Sequence, residues 1–169
     1  MSATVKLYSF SLSNVHTYLF AALFIIGNLV FPQLAHLIPG GGLIFLPIYF
    51  FTLIGAYKYG VNVGILTAVL SPLLNSLIFE MPAIGVVPSI VFKSVLLAMA
   101  AAWAAKYFGK VSFLGILIAI LFYQIIGTAF EWILTQSFAI AIQDFRIGIP
   151  GLLIQLFGGY IVLKALQKH

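Results

Sequence analysis

FLGILIAILFYQIIGTAFEWILT, residues 113–135, carries a single charge, Glu131. It exceeds the roughly 20 apolar residues that a helix needs to cross a bilayer core of about 30 Å. The rest of the chain has the same character. Of its 169 residues 63% are hydrophobic and 7% charged, and its mean hydropathy is +1.20. A soluble domain carries about a quarter charged residues to cover its surface; this chain has too few, so its natural solvent is lipid.

Proline, glycine and charge punctuate the apolar runs on either side of that stretch. They predict an all-α membrane bundle of six transmembrane helices: residues 17–31, 43–57, 61–79, 88–105, 113–135 and 148–164. The first run ends at Pro32 and leads into the loop PQLAHLIPGGG. The second ends at Tyr57-Lys58-Tyr59-Gly60, the third at Glu80-Met81-Pro82, and the fourth opens at Pro88, a favourable first-turn position. Residues 1–16 read as a short cytoplasmic segment and 17–169 as one transmembrane domain. The first run lacks a small-x-small cleavage site and is expected to be a retained span rather than a signal peptide.

Basic residues orient the bundle, because cytoplasmic loops carry the excess of Lys and Arg. With both termini inside, Lys6, Lys58, Lys106, Lys110, Lys164 and Lys168 are cytoplasmic, and only Lys93 and Arg146 fall on the outer half. All three acids, Glu80, Glu131 and Asp144, lie on that outer half too. The inner lysines sit at helix ends, where they can snorkel to the interface. The outer charges call for another account.

A charge in hydrocarbon is costly and faces the bundle interior, a partner or a water-filled cavity. Lys93, near the start of the fourth span, and Glu131, near the end of the fifth, reach similar depth if those spans are antiparallel neighbours. Two readings stand side by side: an outward-open pocket lined by the pair, or a structural ion pair. Gln124, Thr128, Glu131 and Thr135 follow helical spacing and form one polar stripe, which suits either a binding site or interhelical hydrogen bonding. Trp132 serves as an interfacial anchor or a stacking residue. Asn28 and Asn75, near outer helix ends, can meet a ligand or satisfy neighbouring backbone. Small residues, among them Ala22, Gly27, Gly60 and Gly64, allow close helix approach; most serve internal packing and part can form a docking face for a second membrane protein.

Several chemistries are excluded. The chain has no cysteine, hence no disulfide, thiolate metal site or cysteine nucleophile. It has no Walker glycine loop, HExxH or GxSxG, and its scattered lysines form no basic patch for nucleic acid. The expectation is a non-enzyme without cofactor or metal.

The stretch GGLIFLPIYFFTLIGAYKYGVNVGILTAVLSPLLNSLIFEMP (Gly41 to Pro82), with the following PSIVFKSVLLAMAAAWAA (Pro88 to Ala105), resembles the substrate-binding S component of energy-coupling factor (ECF) transporters. The shared pattern is a Pro-containing second span, a short Gly turn, a small-residue-rich third span, an MP-containing outer loop and a fourth span with a basic inner end. The resemblance implies a multi-pass protein of a prokaryotic cytoplasmic membrane that captures a vitamin or similar micronutrient from outside. It further implies a coupling protein and two ATPases as partners, and the loop from Pro32 to Gly42 as a lid. Ligand contacts are then expected from Lys93, Glu131, Asn75, Gln124, Trp132, Asn28 and Arg146.

The chain departs from the family in span one, where Ala21 is followed four positions on by Ile25, and Ala22 by Ile26, in place of the Ala-x-x-x-Ala docking pattern. Ala22 and Gly27 with Gly60 and Gly64 are the docking candidates instead. The rivals are a stand-alone oligomeric secondary transporter or channel subunit, and a non-transporting membrane scaffold.

Overall fold

A computed structural model describes residues 7–167, and among them every regular element is helical. Lys6, Lys168 and His169 lie outside the described residues. Helix α1 spans Val15–Ala35, opened by Asn14, whose side chain accepts from the His16 N–H. Then come α2 (Gly41–Phe45), a 3-10 turn (Pro47–Tyr49), α3 (Phe50–Tyr59) and α4 (Val61–Phe79). After a second 3-10 turn (Ile84–Val86), α5 covers Val87–Phe108 and α6 covers Phe113–Thr135. Two short helices follow, α7 (Phe138–Ala141) and α8 (Gln143–Arg146). The last segment is α9 (Ile149–Leu153), a π-helical turn (Ile154–Gly158) and α10 (Gly159–Leu166).

Five helical segments are long and apolar enough to cross a membrane: Val15–Ala35, Val61–Phe79, Ile84–Phe108, Phe113–Thr135 and Ile149–Leu166. Their outward faces are apolar, with Leu19, Leu23, Ile26 and Val30 exposed on α1 and Leu121, Phe122 and Ile125 on α6. These are the features of a multi-pass membrane protein.

The expected second span is different. Residues 43–57 do not form one helix but break at Leu46, whose backbone is left-handed (φ 45°, ψ 48°), just before Pro47. Proline supplies no N–H and disfavours helical geometry in the residue before it. Downstream of the break, α3 is only ten residues long, and Thr52 through Lys58 are all buried. It is the axial helix of the bundle, enclosed on every side, as expected of a helix apolar all round.

Side chains satisfy the backbone that the prolines leave open. The first N–H groups of a helix have no partner within it; that of Phe51 donates to Asn28 Oδ1 at 3.3 Å. Pro32, inside α1, cannot donate back to the Asn28 carbonyl four residues earlier. Asn75 Nδ2 on α4 donates to that carbonyl instead, at 2.8 Å. Asn28 Nδ2 also donates to Thr52 Oγ1 (3.1 Å) and Ser71 Oγ (3.2 Å). One buried amide thus ties α1, α3 and α4 together.

Close packing uses the glycines. A Cβ on Gly64 would lie 2.4 Å from Ala56 Cβ and 3.0 Å from Ala98 Cβ, so α4 meets α3 and α5 almost backbone to backbone. Gly27 seats the Phe51 ring, and Gly60 (φ 101°) turns α3 into α4 against Ser9. The structure therefore places three of the four docking candidates in internal packing; Ala22 is on the exterior.

The two ends of the bundle differ in charge. At one end Tyr8 N–H donates to the Lys58 carbonyl, Lys58 Nζ to the Leu166 carbonyl, and the Tyr57 hydroxyl to the Lys110 carbonyl. This gathers both described chain ends with Lys58, Lys110 and the nearby Lys106 and Lys164. The opposite end carries Glu80, Lys93, Glu131, Asp144 and Arg146.

Candidate functional site

The α5–α6 turn sets the site. Gly109, left-handed at φ 61°, ends α5 with its N–H on the Ala105 carbonyl, and Ser112 caps α6 by accepting from Gly115 N–H at 3.1 Å. So tight a connection makes the two helices antiparallel neighbours. Lys93 and Glu131, nearly equidistant from the turn, therefore come to one level. Gly127 gives the lysine its room: a Cβ there would sit 2.4 Å from Lys93 Cγ, so the aliphatic stem lies directly on the α6 backbone.

Lys93 Nζ donates to Glu131 Oε2 at 2.5 Å and to Asp144 Oδ2 at 2.8 Å. All three residues are buried, and these are the only salt bridges among the described residues. Asp144 arrives by a non-local route. The chain leaves α6 at Gln136 in a left-handed cap (φ 54°), and α7 and α8 fold back over the bundle so that the first turn of α8 points its carboxylate at Lys93. The α9 helix closes in behind, where a Cβ on Gly151 would lie 2.4 Å from the Phe45 backbone.

These three side chains line a cavity of about 370 Å³ at the end of the bundle opposite Lys58 and Lys110. Leu46, Pro47, Ile48 and Tyr49, the residues of the helix break, line it as well. Irregular backbone at membrane depth is tolerated only where it is buried in protein or faces a cavity, and this break does both. Val86 and Ile90 supply apolar wall, while His36, Asn75, Ser89 and Gln143 add polar groups. A mostly apolar cavity with a few converging polar groups is the usual form of a small-molecule site, and its size falls in the usual range.

Of the seven expected contact residues, Lys93, Glu131 and Asn75 line this cavity. Asn28 is buried beside it in the network that holds α3. Gln124 is buried farther along α6, donating to the Tyr123 hydroxyl at 3.2 Å, which donates in turn to Gln155 Oε1 at 2.9 Å. That chain pins the π-helical turn to α6, and the Tyr123 ring packs tilted against Tyr49 of the cavity wall, with centroids 5.2 Å apart. Trp132 is 51% exposed and meets Phe138 edge-on, as an interfacial anchor would. Arg146 is exposed and outside the cavity.

The site residues that sequence reasoning passed over are Asp144, Tyr49, Ser89, Gln143 and His36. Asp144 had a signal: a lone outer-half lysine with several acids nearby is matched by a pair of carboxylates as well as by one. Tyr49, Ser89 and Gln143 had none, being ordinary residues in apolar or loop sequence. His36 lies in the loop expected to act as the lid, and its Nδ1–H donates to the Pro32 carbonyl at 2.7 Å.

Among the described residues no group of histidine and acidic side chains has the arrangement of a metal site. Comparison with models of protein families, with curated proteins and with solved structures gives no match.

Proposed function

We propose that this chain is a substrate-capture subunit of an ECF-type importer, taking a vitamin or related micronutrient into the cavity at Lys93, Glu131 and Asp144. The observation that carries the reading is a cavity of about 370 Å³ lined by three buried charged side chains, Lys93, Glu131 and Asp144. Charges at that depth face an interior, a partner or a water-filled cavity. In this reading the broken segment from Gly41 to Tyr59 makes a sixth crossing. The lysine-rich end is cytoplasmic by the positive-inside rule, so the cavity opens to the outside. Transport then depends on a separate coupling protein and two ATPases, because the chain has no nucleotide-binding motif of its own.

The test is mass spectrometry of small molecules released when the detergent-purified protein is denatured. A single metabolite in near-stoichiometric amount, lost in Asp144→Asn and retained in Trp132→Ala, is the expected result. Uptake of solute by the purified chain in liposomes without ATPases would replace this reading with a stand-alone transporter. A chain that retains no metabolite and whose abundance depends on a membrane partner would be a scaffold.

A further inference from the structure

The chemistry of the cavity specifies the kind of ligand. Lys93 contributes one positive charge, and Glu131 and Asp144 contribute two negative ones. The cluster therefore has one negative charge in excess, and the two acidic side chains are only 9% and 8% exposed. Excess charge in such surroundings calls for a counter-charge. No other described cation supplies it: Arg146 makes no ion pair and lies outside the cavity.

Hydrogen-bond capacity leans the same way. Asn75 lines the cavity and is 0% exposed. Both its amide hydrogens are spent, on the Asn28 and Ser71 carbonyls, and its Oδ1 has no partner. Glu131 Oε1 and Asp144 Oδ1 accept from no described group. Against these three acceptors stands one committed donor, the third ammonium hydrogen of Lys93, since hydroxyls and amides such as those of Ser89 and Gln143 serve either way.

We infer that the cavity selects a ligand with a cationic, donor-rich end, such as a protonated amine, an amidinium or an aminopyrimidine-like edge, on an apolar body, and rejects carboxylates of the same shape. The cation supplies the missing charge, its N–H groups meet Glu131, Asp144 and Asn75, and the apolar body lies against Pro47, Ile48 and Ile90. This inference rests on the capture reading and narrows it to one charge class.

Three flat probes of matched shape test it: benzamidine (cation), benzamide (neutral) and benzoate (anion), titrated onto the detergent-purified chain and followed by ligand-observed NMR. Charge-assisted hydrogen bonds predict that benzamidine binds about tenfold or more tighter than benzamide, with benzoate weakest. E131Q and D144N each neutralise the cluster and are expected to abolish the benzamidine preference. Retained benzamide binding reports that the cavity is still formed. Equal binding of the three, as a protonated carboxyl in place of the ligand cation would give, overturns the inference, and so does a preference for benzoate. A co-purifying metabolite with an anionic and no cationic group overturns it while leaving the capture reading intact. If no probe binds and no metabolite is released, both readings fall.

Discussion

Lys93→Met removes the charge that two buried carboxylates share while keeping the side chain's length and its packing on Gly127. Breaking a buried ion pair by deleting one partner costs about 3–5 kcal/mol, because the other charge stays buried without compensation. Here two carboxylates lose their partner, with side chains only 9% and 8% exposed, so the upper part of that range is expected. For a chain of this length each kcal/mol moves the unfolding midpoint by about 2–4 °C, which makes the expected loss about 8–20 °C. A fluorescence-monitored thermal scan in mild detergent, at one fixed scan rate, measures it. The control is the triple variant Lys93→Met, Glu131→Gln, Asp144→Asn, in which no charge remains in the cluster. Replacing a complete buried ion-pair set by neutral groups is often neutral or stabilising, so the triple variant should recover most of the loss. A midpoint for Lys93→Met within 2 °C of the parent would refute the reasoning, and so would a triple variant no more stable than the single one.

Gly127→Ala places a Cβ 2.4 Å from Lys93 Cγ, forcing the lysine off its seat at a cost of about 1–3 kcal/mol. It should weaken ligand binding, whereas Gly85→Ala, with nothing within 4 Å, should change neither binding nor the melting midpoint. Asn28→Ala leaves the Phe51 N–H and the Thr52 hydroxyl without their partner, a loss of about 1–3 kcal/mol for each group left unsatisfied; its signature is a lower midpoint. Trp132→Ala should leave both the midpoint and the mass-spectrometric ligand yield within error of the parent, since this half-exposed side chain is outside the cavity. The chain has no cysteine, so single cysteines report sidedness cleanly. Gly85→Cys should react with a membrane-impermeant maleimide on intact cells and Lys110→Cys only after permeabilisation, and the reverse pattern would invert the orientation.

The sequence by itself determined the solvent, the helices and the segregation of charge, because these depend on composition and local pattern. Runs such as residues 113–135 are too long and too apolar for anything but a membrane helix, and α4, α5 and α6 fall within a few residues of their expected bounds. The level match of Lys93 with Glu131 was legible as well, since it needs only the helix rise and a short turn. Tertiary structure decided the rest. Whether residues 43–57 continue as one helix depends on whether neighbours satisfy the backbone around Pro47, and Asn28 does so from a different helix. Asp144 reaches Lys93 only because α7 and α8 fold back over the bundle. Of the two asparagines, indistinguishable by position in their helices, one is wholly engaged in holding α3 and the other keeps an acceptor without a partner at the cavity. Local pattern fixes which residues are helical and roughly how deep they lie. Which faces meet, and which polar atoms are left over when they do, is set by contacts between residues far apart in the chain.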